Sequence, residues 1–405
     1  MSQANCDLLI LTVGTGTAGK HSDVAQGLVN TINCLQPRLF WLVPSNDPKS
    51  IPVADLIREG VANPSAFQPW SETAPYHAIP EPDDIHECRR QVREVIQAAG
   101  KMLRQGERII VNPTSGTKQM SAGATLAALD EAVGRIDFTT GQRVDGVVKT
   151  GTERIQSFDV LAFLRERDLR SADELFAAGA FYAAARLLRP YSYDPAAAKA
   201  REQALCLHEW QRLNHARAAS HAAKFSEELR THLQRLAAAD EFSTERLGDL
   251  LASADELARW GDHEEALARY YRAAEQTAKV RLVQAHNLRP PYQLTVILNL
   301  LPVGSRLADE FRRKAHDGRV LLTAQTAWDL LDALNDPLAK AYLKDQQLQW
   351  GLYRRHATMY GHGQGTVGAA ETQQVAARLR NLLQEHFPAA QACWHTTLRP
   401  RSLQY

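Results

Sequence analysis

A change of character near residue 160 constrains this chain more than any other feature. Before it, short apolar runs bounded by turn residues alternate with amphipathic helical patterns. After it, strand signals stop and Ala, Leu, Arg, Glu and Gln dominate. Residues 7–13 (DLLILTV) form a continuous apolar run, as expected of a strand covered on both faces in a parallel sheet. A helix is expected over 22–34, with Val24, Leu28, Ile32 and Leu35 on one face, then a strand over 38–43 and a short helix over 53–58. Residues 63–82 carry no assignable element. Pro82-Asp83-Asp84 opens a helix to about Leu103. Ile109-Ile110-Val111 is a third strand, and Lys118 starts a helix through Met120, Ala124, Leu126 and Ala127. Residues 135–139, 144–150 and 154–158 read as an antiparallel extension of the sheet. The expected fold is a Rossmann-like α/β domain over 1–160 followed by an all-α domain over 161–405. Helices of the second domain are expected over 171–188, 195–239, 243–260, 263–286, 291–300, 306–315, 323–334, 337–360 and 367–386.

Two polar loops follow strands of the first domain. In an open α/β sheet, ligands sit outside the carboxyl ends of the strands, where both loops lie. The loop Asn112-Pro113-Thr114-Ser115-Gly116-Thr117 sets backbone N–H groups, three hydroxyls and the Lys118 ammonium at a helix N-terminus. That chemistry suits an anion, usually a phosphate, although a well-capped βα turn has the same pattern. The loop after Val13 nearly matches a nucleoside-triphosphate loop, with Gly14, Gly19 and Lys20 in place. His21 stands where Ser or Thr would hold Mg²⁺, and no apolar strand ending in Asp supplies the second metal contact. Binding phosphates or riboses without hydrolysis suits these residues better than an NTPase does.

The segment 352–363 (LYRRHATMYGHG) carries the second chemistry. Arg355 and His362 are seven positions apart, within about 20° of one helix face and about 10 Å along the axis if the helix stays regular. Gly361 and Gly363 mark the helix end, where a protonated histidine is favoured. A guanidinium beside an imidazole suits cleavage of an RNA phosphodiester, one group stabilising the phosphorane and the other handling protons. A capping turn with an incidental surface histidine is the bland alternative. His208, His215, His221 and His232 lack the i, i+4 spacing of a metal face and are expected to be solvated or locally hydrogen-bonded. Leu267, Tyr270, Tyr271 and Ala274 read as a core stripe.

Composition narrows the partners. The 405 residues carry a net charge of +1, which excludes a protein that coats polyanions and leaves any nucleic acid to a local site. Stable DNA binding is not expected. The five cysteines include no CxxC pair, which argues against a zinc site and against a disulfide framework. The first residues have no basic n-region, their apolar run is short for a signal peptide, and no run approaches a membrane span. A cytoplasmic protein is expected.

Taken together, the motifs resemble the CRISPR-associated CARF–HEPN ribonucleases of type III systems. The carriers are the loop after Val13, the stretch 112–120, the helix 266–282 (ALARYYRAAEQTAKVRL) and the stretch 355–363. HEPN nucleases carry Arg, four to six residues, then His, and this chain has the six-residue version. Asparagine often follows the arginine; here His356 does. Arg354 would stretch the spacing by one. The resemblance implies a homodimer whose CARF domains bind a cyclic oligoadenylate, tetra-adenylate favoured over hexa-adenylate. Its implied contacts are Gly14, Thr15, Gly16, Thr17, Lys20, Ser45, Asn46, Asn112, Pro113, Thr114, Ser115, Gly116, Thr117, Lys118 and Met120. It also implies paired HEPN domains in which Arg355, His362 and His356 cut single-stranded RNA without metal or cofactor, leaving a cyclic phosphate. A nucleotide-sensing regulator with a dead HEPN domain is the alternative, and His356 in the asparagine position is its support.

Overall fold

The computed structural model describes residues 7–16, 21–144, 147–149, 151–302, 304–394 and 399–403. The chain divides into two compact units, Met1–Arg167 and Asp168–Tyr405.

The first unit runs β1 (Leu8–Val13), α1 (His21–Leu35), β2 (Leu39–Pro44), α2 (Ser50–Gly60), α3 (Ile85–Gly100), β3 (Ile109–Asn112), α4 (Lys118–Asp130), β4 (Arg135–Thr140), β5 (Arg143–Val144), β6 (Val147–Val148) and β7 (Arg154–Asp159). Five strands form one sheet in the order β2-β1-β3-β4-β7, parallel except that β7 pairs antiparallel with β4. Both faces are covered, which is why β1 is apolar except for the buried Thr12. Leu8 and Ile10 point into the core with α3 and α4, whereas Leu9, Leu11 and Val13 join the core with α1 and α2. The run 144–150, expected as the middle strand of the extension, is instead part of the two-residue pair β5 and β6, which are antiparallel to each other and outside the five-stranded sheet. Part of 63–82 follows the sheet edge. Phe67 bridges to Phe40 and Ile79 to Ser45, and Phe67 packs between Phe40 and Tyr76. The chain leaves β1 toward β2 on one side and returns to β3 on the other. The β1/β3 boundary is therefore the topological switch point, the natural ligand position.

Helices continue through α5 (Val160–Ala177), α6 (Phe181–Leu187), α7 (Pro195–Gln211), α8 (His215–His221), α9 (Glu227–Ala238), α10 (Thr244–Trp260), α11 (His263–His286), α12 (Leu294–Leu300), α13 (Arg306–Lys314), α14 (Ala324–Ala333), α15 (Pro337–Lys344), α16 (Gln346–Tyr353), α17 (Ala369–His386) and α18 (Pro388–Ala392). A short β8 (Tyr292–Gln293) pairs with β9 (Arg319–Val320). The second unit has two cores. Phe176, Phe181, Leu207, Trp210 and Leu233 belong to one; Leu251, Tyr270, Trp328, Leu331 and Leu379 belong to the other. Arg399 joins them. Its guanidinium lies over the Trp210 ring at 4.3 Å and donates to Asp249 (2.9 Å) and Glu256 (2.7 Å) on α10, with His215 on the other Asp249 oxygen at 2.8 Å.

Three helices expected to be continuous are broken. The span 171–188 breaks at Gly179, whose φ is +77°, between α5 and α6. The span 195–239 splits because Asn214 and Ser226 cap new helices through their side chains. The span 337–360 splits at Asp345, which caps α16 by accepting from the Leu348 N–H at 2.9 Å, and the α-helix stops at Tyr353.

Candidate functional site

The two polar loops meet at the switch point, backbone against backbone. A Cβ on Gly14 would lie 2.4 Å from the Gly116 Cα. Gly116 has φ +119°, and a Cβ there would come within 2.9 Å of the Met120 Sδ. The Gly14 N–H donates to the Ser115 Oγ at 3.1 Å, and the Thr12 hydroxyl donates to the Ser115 carbonyl. Asn112 is fully buried. Its Oδ1 accepts from the Thr114 N–H (3.1 Å) and its Nδ2 donates to the Thr139 Oγ1 (3.0 Å), while the Thr139 N–H donates to the Thr114 Oγ1 (2.7 Å). The Thr117 hydroxyl caps α4, accepting from the Met120 N–H at 3.1 Å. Asn112, Pro113, Thr117 and Met120 therefore shape the loop from below.

A cleft of about 150 Å³ opens above it, lined by Gly16, Asp23, Thr114, Ser115, Gly116 and Thr139 among others. Lys118 is exposed at the first turn of α4. The Thr15 carbonyl accepts from the His21 ring. Ser45 is buried against the Ser50 hydroxyl, and the Asn46 N–H donates to Ile79 while its side chain is exposed; neither lines the cleft. Thr17 and Lys20 lie outside the described residues. Sequence reasoning passed over Asp23, a carboxylate at the cleft wall in the first turn of α1. Asp23 follows no motif that would have marked it.

In the second unit the regular helix expected through Arg355 and His362 does not form. A 3₁₀ turn, Arg354–Ala357, follows α16, and the chain then doubles back. The Thr358 hydroxyl and N–H both donate to the Arg355 carbonyl, at 2.8 and 3.1 Å. The His362 N–H donates to the His356 carbonyl (3.1 Å), and the Gly365 N–H to the Ala357 carbonyl (2.6 Å). Glycine at 363 permits this, since a Cβ there would lie 2.2 Å from the Ala357 oxygen. The axial separation of a regular helix is thereby replaced by a compact turn. The His356 and His362 rings come to 6.4 Å between centroids, at 26°.

Arg355 is held from α11. Its guanidinium sits 4.2 Å above the Tyr271 ring, and Nη1 donates to the Tyr360 carbonyl at 3.3 Å. Its buried Nε has no hydrogen-bond partner among the described residues. Arg354 is engaged elsewhere, 2.9 Å from Glu371. Desolvation, then Arg355 and His362, push the His356 pKa below the ordinary 6.5, so this imidazole is neutral at pH 7. His362 is exposed. The turn thus presents a fixed cation with spare donors beside two imidazoles, one of them held neutral.

Tyr271 differs from the core stripe expected for it. Leu267, Tyr270 and Ala274 are buried, but Tyr271, about 100° further round the helix than Tyr270, turns its ring to Arg355. Among the histidines expected to be solvated or locally bonded, His215 is buried against Asp249 and His221 bonds Glu202. Among the described residues, no group of three or more His, Cys, Asp or Glu is placed to hold a metal ion, and no helix is long and apolar enough to cross a membrane.

Residues 235–386 match the family model described as the Csm6 HEPN domain. Among solved structures, the chain is similar to Enterococcus italicus Csm6 bound to cyclic hexa-2'-fluoro-hexa-dAMP. The TM-score is 0.61 with 12% sequence identity, over 95% of each chain. At that identity the likeness is one of fold. No curated protein matches the chain.

Proposed function

We propose that this chain, a CRISPR-associated CARF–HEPN protein, is a cytoplasmic endoribonuclease that a cyclic oligoadenylate switches on to cut single-stranded RNA in type III antiviral defence. The observation that carries the reading is the doubled-back turn, which gathers Arg355, His356 and His362 within residues of the HEPN family match. In the proposed step, the ribose 2′-hydroxyl loses its proton and attacks the adjacent phosphorus. The bond to the 5′-oxygen breaks, and that oxygen takes up a proton. The products are a 2′,3′-cyclic phosphate and a 5′-hydroxyl. Arg355 neutralises the charge that builds on the phosphorane oxygens, His362 handles a proton, and neutral His356 offers a hydrogen bond where an asparagine amide would otherwise serve. No metal takes part.

The sensor would be the cleft over Thr114, Ser115 and Gly116, with Lys118 and the backbone N–H groups of the α4 N-terminus gripping phosphates. About 150 Å³ falls below the roughly 300–1,000 Å³ of a small-molecule site, and a cyclic oligoadenylate is larger still. A symmetric ring shared by two copies about a two-fold axis removes that mismatch. A homodimer is therefore proposed, with HEPN residues of both copies forming the cutting site and ligand shifting the dimer toward its competent geometry.

The test is a cleavage assay on single-stranded RNA in EDTA, with cyclic tetra-adenylate and cyclic hexa-adenylate as separate arms. The sequence resemblance leans to the smaller ring, whereas the similar solved structure carries an analogue of the larger. Cleavage with one ring, cyclic phosphate ends and loss in His362→Ala are expected. The reading fails if neither ring elicits cleavage or if His362→Ala cuts as well as the parent. Tight ring binding without cleavage would instead mark a regulator with a dead HEPN domain. Mg²⁺-dependent ATP turnover abolished by Lys20→Ala would mark an NTPase.

A further inference from the structure

Between Leu352 and Val367 every residue is exposed or half-buried except Thr358. Thr358 is 0% exposed, while its neighbour Met359 is 80% exposed. The turn therefore buries a polar residue and leaves an apolar one in solvent. Burying a hydroxyl costs free energy unless it is hydrogen-bonded, so the use of Thr358 lies in what it bonds.

Both donors of Thr358 go to a single acceptor. Its hydroxyl and its N–H donate to the Arg355 carbonyl, at 2.8 and 3.1 Å, and so occupy both lone pairs of that oxygen. The carbonyl belongs to the planar peptide that joins Arg355 to His356. Pinning that plane restrains the directions in which both side chains leave the backbone. The Thr358 carbonyl in turn accepts from the N–H groups of Gly361 (2.9 Å) and Gly363 (3.2 Å), the residues on either side of His362. The approach is too close for a side chain at 361, where a Cβ would lie 2.5 Å from the His356 Cα. One buried residue thus ties the backbone of Arg355 and His356 to that of His362. Six residues separate Arg355 from His362, and without such a tie they could follow many paths.

We propose that Thr358 is a positioning residue for RNA cleavage, its buried hydroxyl setting where the Arg355 guanidinium stands relative to the His356 and His362 imidazoles. Thr358 acts through the backbone and touches no substrate. Its hydroxyl holds the first peptide of the motif and its carbonyl holds the two N–H groups around the last residue. Without the hydroxyl, the Arg355 carbonyl keeps only the longer bond from the Thr358 N–H, and the peptide is free to tilt. The guanidinium on Tyr271 and the two imidazoles then lose their common register. The inference rests on the ribonuclease reading above and adds a residue that none of its chemical steps uses.

The experiment is single-turnover cleavage of single-stranded RNA in EDTA at saturating cyclic oligoadenylate, for the parent, Thr358→Val, Thr358→Ser and Thr358→Ala. Thr358→Val keeps the branched shape and loses the hydroxyl. It should cut about 10- to 100-fold more slowly at saturating RNA, with the half-saturating RNA concentration and the half-activating ring concentration unchanged. Thr358→Ser keeps the hydroxyl and should regain most of the rate. If Thr358→Val does not fold, Thr358→Ser and Thr358→Ala make the same comparison, since they differ only in the hydroxyl, and the serine variant should be the faster. Three outcomes overturn the assignment and leave the ribonuclease intact: Thr358→Val cutting as fast as the parent, serine and alanine variants slowed equally, or a loss confined to RNA affinity. A parent that does not cut removes the ribonuclease reading and this assignment with it.

Discussion

Two residues with no special rarity, an arginine and a histidine, acquire meaning from what surrounds them. The seven-residue spacing was legible in the sequence. The Tyr271 ring beneath Arg355 was not, because its partner lies on a different helix and its own neighbours read as core. Nor was the doubled-back turn, since helical geometry is the default expectation for such a stretch and only the contact of Gly363 with Ala357 overrides it. At this scale, His362→Ala should lower the activated cleavage rate by about 10²–10⁴-fold while leaving activator affinity unchanged, measured by single-turnover cleavage beside a filter-binding assay. Arg355→Lys should not rescue Arg355→Ala, because an ammonium lacks the planar fork that rests on Tyr271. The pH profile tests His356 separately. Its pKa lies below 6.5, so it gains charge only on the acid side. The profiles of the parent and of His356→Asn should run parallel above pH 6.5 and part below it, where the parent acquires a second cation beside Arg355. Profiles that part on the alkaline side would contradict that assignment.

Elements were readable to the extent that hydrophobicity encodes them. The continuous apolar runs of β1 and β3 announced a buried parallel sheet, and a polar loop after each marked the carboxyl edge of that sheet, where the proposed ligand would sit. The broken helices were not readable from periodicity, because their breaks lie at capping side chains such as Asn214, Ser226 and Asp345, polar residues that an amphipathic pattern tolerates anywhere on its solvent face. Most polar side chains of the 112–117 loop turn out to hold the loop itself, which leaves Lys118 as the exposed cation for a ligand. Lys118→Ala should therefore raise the half-activating concentration of cyclic oligoadenylate by about 10- to 100-fold without changing the maximal rate, the loss of one or two charge-assisted hydrogen bonds. A lowered maximal rate at saturating activator would place Lys118 outside ligand binding.

The whole molecule reads as two units, an expectation drawn from the loss of strand signals near residue 160. The presence of two cores inside the helical unit was not legible, because both are built from the same Ala- and Leu-rich helices. Arg399 is what sequence could least have revealed, a charged residue wholly enclosed with Asp249 and Glu256. Burial alone would raise the Asp249 carboxyl, but Arg399 and His215 overcome that and hold it far below the ordinary 3.8. The stabilisation is therefore complete above pH 3.8 and lost as the pH falls below it. Arg399→Met strands two buried carboxylates and should cost about 3–5 kcal/mol at neutral pH, read by urea denaturation. A loss under about 1 kcal/mol would show that the network is incidental. Cooperativity follows from the same network. Trp210, His215 and Arg399 all bond to Asp249, and Trp260 packs its ring on Phe181, so the two helical cores are tied at several points and should melt in one calorimetric transition that Arg399→Met lowers without splitting.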